Sequence, residues 1–133
     1  MAGISVRLPL SVDVIDGPYG LHKELKDSVR QNLKMLLLTI PGERIMNPDF
    51  GVGLQKLLFE NDTKDTRGRI HDRIRSQVAK YMPFIKVRDS ILPDYGSVPP
   101  GQVNTLFIEI EYYIEPLSAE DILKISLSSI VIT

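Results

Sequence analysis

Residues 36–60 read LLLTIPGERIMNPDFGVGLQKLLFE, and this run combines three kinds of local structure. Its apolar start has the spacing of a helix end. Pro41 and Gly42 end that helix, because proline disfavours a helical residue before it and glycine turns the chain readily. Residues 43–51 are a polar loop, and the apolar spacing at 52–59 predicts a short second helix. The run therefore predicts two helices joined by an ordered loop.

We expect Phe50 and Leu54 to hold this loop on the core, leaving Glu43 and Arg44 as a charge pair or as contacts. Loops on a rigid scaffold often carry function. The alternative is a plain connection between two helices. The sequence leaves open whether a substrate or another protein would contact the loop.

Hydrophobic periodicity predicts the elements before this run. Alternating apolar residues over 4–14 predict a strand, with Pro9 favouring an edge position or an irregular arm. A turn cluster follows at 16–20. From there the period lengthens to three or four residues, which predicts a helix over 21–40. Its apolar stripe is Leu21, Leu25, Val29, Leu33, Leu36, Leu37 and Ile40.

The elements after the run begin with a third helix. Residues 61–63 offer capping side chains, and Pro83 stops the helix. Its stripe is Ile70, Ile74, Val78 and Tyr81. Strand patterns then dominate, at 84–92, 103–115 and 123–133, with a loop rich in proline and glycine at 93–102.

This order predicts an α+β fold, with two to three helices packed on one face of a small mixed or antiparallel sheet. The 133 residues fit one domain with its own core. Within residues 1–133 we expect an N-terminal strand or arm at 1–20, a helical part at 21–83 and a sheet part at 84–133.

Composition excludes several classes of protein. The net charge of −1 gives no reason to expect a nucleic-acid partner. The chain has no cysteine, which excludes disulfides, thiolate chemistry and Cys-based zinc sites. Neither a signal peptide nor an apolar run of membrane-spanning length is visible. We therefore expect a soluble protein of the cytosol with no membrane partner.

The polar residues give little support to catalysis. His22 and His71 are expected to be solvated surface residues, and neither has the spacing of a metal site. The glycines at 51 and 53 lack the spacing and the lysine of a phosphate-binding loop. We predict no catalytic residue, no metal and no cofactor.

Paired carboxylates are the one enzymatic alternative. Glu43, Asp49, Glu60 and Asp62 lie in or near the loop, and glycoside hydrolysis uses two carboxyl groups across the scissile bond. A chain with 17 acidic residues contains such groupings by chance. The arginine-rich face of the third helix is expected to be solvated, since no stacking aromatics accompany it. Its members are Arg67, Arg69, Arg73 and Arg75.

The C-terminal segment favours assembly over catalysis. Residues 125–133 carry no charged side chain, and a β-prone segment without charges is an aggregation hazard as a bare edge. Either it pairs within its own sheet or another chain covers it by strand addition.

Residues 29–87 contain motifs that resemble a known family. The motifs are LTIPGER at 38–44, NPDFGVGL at 47–54 and LLFE at 57–60. They are similar to the signature of the baseplate wedge proteins of contractile phage tails, with relatives in type VI secretion and other contractile injection systems. These are small sheath initiators, and an older label calls some of them lysozyme-like.

The resemblance implies a structural role in a virion tail baseplate that is assembled in the host cytoplasm. Such a protein binds the wedge scaffold near the tail tube, in six copies around the tail axis. It presents a small sheet onto which sheath protein subunits add strands. The strands at 103–115 and 123–133 are the candidates for that sheet, and 36–60 for the wedge-facing scaffold.

The resemblance also implies two sets of contact residues. Wedge or scaffold contacts are expected at Pro41, Gly42, Glu43, Arg44, Pro48, Phe50, Gly51, Met82, Pro83 and Phe84. Sheath strand addition is expected at Ile125, Leu127, Ser129, Val131 and Thr133. Many relatives carry a Glu-Pro-Arg triplet where this chain has Met82, Pro83 and Phe84, so apolar docking is one option here. The family's usual Phe-Glu-Pro stands here as Phe-Glu-Asn at 59–61.

Two alternatives to sheath initiation remain open. One is a lysozyme-like glycosidase that cleaves peptidoglycan, and the other is an adaptor with no polymer partner. The residues do not distinguish a phage from a secretion system or a bacteriocin.

Overall fold

The computed structural model describes residues 3–15, 17, 19–57, 63–91 and 105–128. Three helices and five strands lie in this part of the chain. In chain order they are β1 Ser5–Val6, β2 Leu21–His22, α1 Leu25–Leu38, α2 Leu54–Leu57, α3 Lys64–Tyr81, β3 Ile85–Ile91, β4 Thr105–Ile114 and β5 Ala119–Ser128. None of these helices has the length and apolar character needed to cross a bilayer.

The main sheet has three antiparallel strands in the order β3–β4–β5. β4 and β5 pair without interruption from Ile114 opposite Ala119 to Thr105 opposite Ser128. The β3–β4 ladder has a register shift between Val87 and Asp89. β3 and β5 are therefore the two edge strands of this sheet.

The helices pack on one face of the sheet, which confirms the α+β class. Alternation along β4 sends Ile108, Ile110, Tyr112 and Ile114 into the core, while Glu111 faces solvent. The predicted helical stripes supply the opposite wall. Its buried members are Val29, Leu33, Leu36, Leu37, Leu54, Ile70, Ile74 and Val78.

The predicted strand over 4–14 is wrong beyond two residues. Ser5 and Val6 are its only residues in a strand ladder, opposite His22 and Leu21, and Asp13 forms an isolated bridge with Gly17. The arm is tied to α1 by Gln31, whose side chain accepts from the Leu8 N–H and donates to the Val6 carbonyl. Val12 and Val14 are 83% and 98% exposed, so the alternating apolar residues of this arm do not form a buried face.

Two other element boundaries differ from the predictions. α1 begins at Leu25, because Leu21 is taken into β2. Leu25 is itself 42% exposed and lies outside the core. β5 begins at Ala119, four residues before the predicted start, because Ser118 adopts a left-handed conformation and closes a tight turn. Residues 58–62, 92–104 and 129–133 lie outside the described residues.

α3 follows the sequence prediction closely. The Thr63 side chain accepts a hydrogen bond from the Thr66 N–H and caps the helix. The helix ends at Tyr81, two residues before Pro83.

Candidate functional site

The loop after α1 is clamped onto α3 by one buried side chain. Gln77 donates from Nε2 to the Asp49 carbonyl (3.0 Å) and accepts from the Gly51 N–H at Oε1 (3.1 Å). Arg73 adds a hydrogen bond from Nη2 to the Gly51 carbonyl (3.1 Å). The clamp holds main-chain atoms, so it fixes the path of the loop.

A close backbone approach completes the clamp. Gly51 has φ +113°, and a Cβ built on it would lie 2.1 Å from the Thr39 carbonyl oxygen. That oxygen already accepts from the Gly53 N–H (2.9 Å). Only glycine fits this position without displacing the end of α1.

Aromatic side chains cover the loop. The rings of Phe50 and Tyr81 meet edge to face with centroids 4.8 Å apart. The Tyr81 hydroxyl donates to Asn47 Oδ1 (3.0 Å). Phe50 is half-buried against the core, and Leu54 is fully buried. Both therefore have the anchoring positions that we expected.

Glu43 and Arg44 have separate partners. Glu43 Oε2 accepts from the Ile40 N–H (3.0 Å). The Arg44 guanidinium lies over the Phe50 ring, 3.9 Å from its centroid. The two side chains therefore bond to their own chain and do not form a charge pair with each other.

A groove joins the loop to the turn after α3. Arg44, Phe50, Met82 and Phe84 all line it, so the fold brings together residues from both segments of the expected wedge-contact set. Met82 is only 6% exposed, and most of its side chain belongs to the core. Gly51 is buried as well, and its role is in the clamp. The remaining members are not among the residues that line the groove: Pro41, Gly42, Glu43 and Pro48 lie on the loop, and Pro83 lies between Met82 and Phe84.

The second candidate surface is the free edge of β5. The Ile122 carbonyl accepts from Arg30 Nη2 (2.9 Å), which belongs to α1 and not to β4. The N–H and carbonyl of one residue point to the same side of an antiparallel strand, so both main-chain groups of Ile122 point away from β4. Alternation then gives the same direction to the peptide groups of Glu120, Lys124 and Ser126.

This parity corrects the residues expected for strand addition. Ile125 is only 5% exposed, and its peptide groups face β4. Leu127 shares that parity, so its main chain also faces β4. Ser129, Val131 and Thr133 lie outside the described residues. The main-chain groups that a new strand would meet belong to the even-numbered residues of β5.

Asp121 joins α1 to this edge. Its carboxylate accepts from the Tyr112 hydroxyl (2.7 Å) and lies 3.6 Å from Arg30 Nε and 3.7 Å from Lys26 Nζ. Burial by itself would raise the pKa of Asp121. The hydrogen bonds from Tyr112 and the Ile122 N–H, with the two cations, outweigh burial and lower that pKa. Burial and the Asp121 carboxylate raise the pKa of Tyr112 well above its usual range.

The opposite edge, on β3, is interrupted. The Ser90 N–H donates to the Asp89 side chain (2.8 Å), and the Ile85 N–H donates to the Met82 carbonyl (3.0 Å). The register shift next to Arg88 breaks the regular spacing of this strand. Bonds within the protein thus already satisfy main-chain N–H groups on the β3 edge that an added strand would need.

The residues weighed for catalysis are used structurally where they are described. Glu43 closes the loop, and Asp49 lies 3.9 Å from Lys80. Glu60 and Asp62 fall outside the described part. Within that part, no three acidic or histidine side chains form a group that fits a metal ion.

The expectation of two solvated histidines is wrong. His22 Nε2 is 2.7 Å from Gln31 Oε1, and His71 Nδ1 bonds to the Ser90 hydroxyl. Each ring is partly buried and helps to join a helix to a strand. The arginine-rich face of α3 is also not wholly solvated, because Arg73 binds the loop.

Two functional positions had a readable signal that sequence reasoning missed. Gln77 falls three residues after Ile74 on the buried stripe of α3, where a polar side chain needs partners. Tyr112 stands among aliphatic residues on the inward face of β4, so its hydroxyl requires a buried acceptor. That acceptor, Asp121, lies two residues before the predicted start of the last strand.

Comparisons with known proteins agree on one family. A sequence profile of the baseplate wedge protein gp25 family matches residues 23–116. The baseplate wedge protein gp25 of Enterobacteria phage T4 is 33% identical over 86 residues, which span 64% of this chain and 61% of that protein. The chain thus spans less than two thirds of the length of this relative.

Solved structures share the fold. A chain of the anti-feeding prophage baseplate superposes with a TM-score of 0.64 at 29% identity, covering 81% of this chain and 82% of that one. A candidate tail lysozyme from Geobacter sulfurreducens superposes with a TM-score of 0.65 at 22% identity, covering 82% and 95%. At that identity the second match shows a common fold alone.

Proposed function

Because the chain belongs to the family of baseplate wedge protein gp25, a structural baseplate component, we propose that it initiates contractile sheath assembly within a tail baseplate. The observation that carries this proposal is the free edge of β5 in a small antiparallel sheet. Strand addition uses such an edge, because main-chain hydrogen bonds give affinity whatever the partner's sequence. The protein would then act as a template for assembly and would not catalyse a reaction.

The groove between the loop and the turn after α3 is the proposed wedge contact. Phe84 is 36% exposed there and Met35 39% exposed, so an apolar partner surface would gain burial at both. Arg44 at the rim supplies a charged contact. We propose that wedge proteins dock here, with six copies around the tail tube.

The sheath role is tested by complementation of a strain that lacks this gene. We expect full-length sheaths with the intact chain, and tubes without sheath for Ser126→Pro, which removes an outward main-chain N–H from the β5 edge. Sheath length is measured by electron microscopy. Normal sheaths from Ser126→Pro would favour an adaptor with no polymer partner.

The wedge contact needs its own variant. Phe84→Ala is expected to release the chain from purified baseplates, while Ile122→Ala, at an exposed site on the opposite face of the sheet, is expected to leave it bound. Immunoblots of purified particles measure the difference. Equal retention of both variants would contradict docking at the groove.

The lysozyme-like alternative is tested on cell-wall substrate. Glu43 already accepts the Ile40 N–H, a structural use that does not suit a general acid. We expect no turnover by the purified chain. Peptidoglycan cleavage that is lost in Glu43→Gln or Glu60→Gln would overturn the structural role.

A further inference from the structure

The free edge of β5 is closed at Ile122. Arg30 Nη2 donates to the Ile122 carbonyl. Asp121 also lies 3.6 Å from Arg30 Nε, so the two side chains support each other at this point of the edge. A strand that approached Ile122 would have to displace an ion pair before it could form its own ladder.

From Lys124 onward, two residues after Ile122, the main-chain groups on this edge have no side-chain partner among the described residues. Lys124 and Ser126 share the parity of Ile122, so their N–H and carbonyl groups point outward. Within the described ranges, no side chain bonds to these groups. Lys124 itself reaches across the outer face to Glu109, with Nζ 2.9 Å from Oε1. This half of the edge therefore offers a row of main-chain donors and acceptors.

The groove beside the open half is basic. Arg30, Lys34, Ile122 and Lys124 line it, with Asp27 on the same wall. Lys34 follows Arg30 by one helical turn, about 6 Å, and Lys124 follows Ile122 by two strand residues, about 6.6 Å. Lys34 and Lys124 therefore both lie beyond the Arg30–Ile122 contact, and both line this groove. Among the described residues, Lys34 has no ion-pair partner.

We infer that Arg30 and Asp121 set the register of the added strand, which pairs only beyond Ile122, and that this strand carries a carboxylate beside Lys34. The occupant is an extended acidic segment of a sheath subunit, and in this respect the inference rests on the proposed function. The β3 edge is unsuited to the same segment, because its register shift and the Asp89 bond to the Ser90 N–H interrupt it.

Amide hydrogen exchange of the lone chain tests the edge without any sheath protein. We expect fast exchange at Lys124 and Ser126, and slow exchange at Leu123 and Ile125. In both Arg30→Gln and wild type, slow exchange of the Leu123 amide would show that the β4–β5 ladder is intact. Slow exchange at Lys124 and Ser126 would overturn the inference and leave the sheath role standing.

Peptide titration followed by NMR tests the occupant. The probes are two ten-residue peptides of alternating Thr and Val, one with Glu and one with Lys at the fifth position. We expect the Glu peptide to bind roughly fivefold more tightly and to shift the Lys124 and Ser126 amides. Lys34→Gln should abolish the preference, and Arg30→Gln should extend the shifts to Ile122.

Several outcomes would overturn the inference. They are equal affinities of the two peptides, binding of neither, shifts at Val87 and Ser90 in place of Lys124, and wild-type shifts that already include Ile122. Shifts that depend on protein concentration without peptide would assign the edge to a second copy. If the exchange and peptide experiments gave the expected results but the chain supported no sheath growth, the proposed function would be refuted and the inference about the edge would stand.

Discussion

Gly51→Ala, compared with Gly42→Ala, measures how tightly the loop is bound to the end of α1. Both glycines have positive φ, +113° and +96°. A Cβ at Gly42 meets nothing within 4 Å, whereas a Cβ at Gly51 lies 2.1 Å from the Thr39 carbonyl oxygen and 2.8 Å from its carbon. The two substitutions therefore share backbone strain and differ in the steric clash.

The magnitudes follow from these two contributions. An L-residue at positive φ costs about 1–2 kcal/mol, which is the whole effect expected for Gly42→Ala. Overpacking adds about 1–3 kcal/mol at Gly51. Relief is limited because the contacting atoms belong to the main chain, and the Thr39 oxygen is held by the Gly53 N–H. We expect a loss of about 2–5 kcal/mol for Gly51→Ala.

Urea unfolding followed by circular dichroism measures both variants against wild type. An unchanged dependence on urea concentration would show that only stability changed. The difference between the variants should also appear as a lower Tm, by roughly 4 °C for each kcal/mol. If Gly51→Ala were no less stable than Gly42→Ala, the loop would not lie against the end of α1 as described.

The remaining predictions concern buried polar groups and the core. Gln77→Leu should lower the free energy of unfolding by about 2–3 kcal/mol, because two main-chain groups of the loop lose their partner; a neutral result in urea unfolding would contradict the clamp. Asp121→Asn should destabilise more at pH 7 than at pH 3. The lowered pKa of Asp121 means that its contribution is complete above about pH 4 and is lost as the pH falls through the folded-state pKa. An equal cost at both pH values in urea unfolding would refute that assignment. Ile110→Ala should cost about 2–5 kcal/mol by the same measurement, whereas Ile45→Ala, at a 96% exposed site, should cost less than about 0.5 kcal/mol.

The α+β fold and most of its elements are readable from the sequence because their periodicity reports burial. The four-residue stripe of α3 and the alternation of β4 each match the buried side chains. The arm at 4–14 has equally clear alternation and yet forms only two strand residues. Alternation requires a partner strand and a face to cover, and neither is encoded in the arm itself.

The candidate surfaces are only partly readable from sequence. The loop motif indicated a contact region, and the fold does bring Phe50 and Phe84 to one groove. The parity of β5 was not readable, because it depends on which side of the strand pairs with β4. The outward Ile122 carbonyl is then met by Arg30, 92 residues away in the chain. Long-range choices of this kind need the tertiary structure.

The loop clamp has a consequence for how the protein can change during evolution. Gln77 and Arg73 form hydrogen bonds with the main chain of the loop, so the shape of the loop does not depend on the side chains at its outer bend. Ile45 and Met46 project there, each 96% exposed. These two residues can therefore be substituted as a contacting protein changes, while the conformation of the loop stays the same. A scaffold built in this way lets adaptation to a new assembly proceed at little cost to folding.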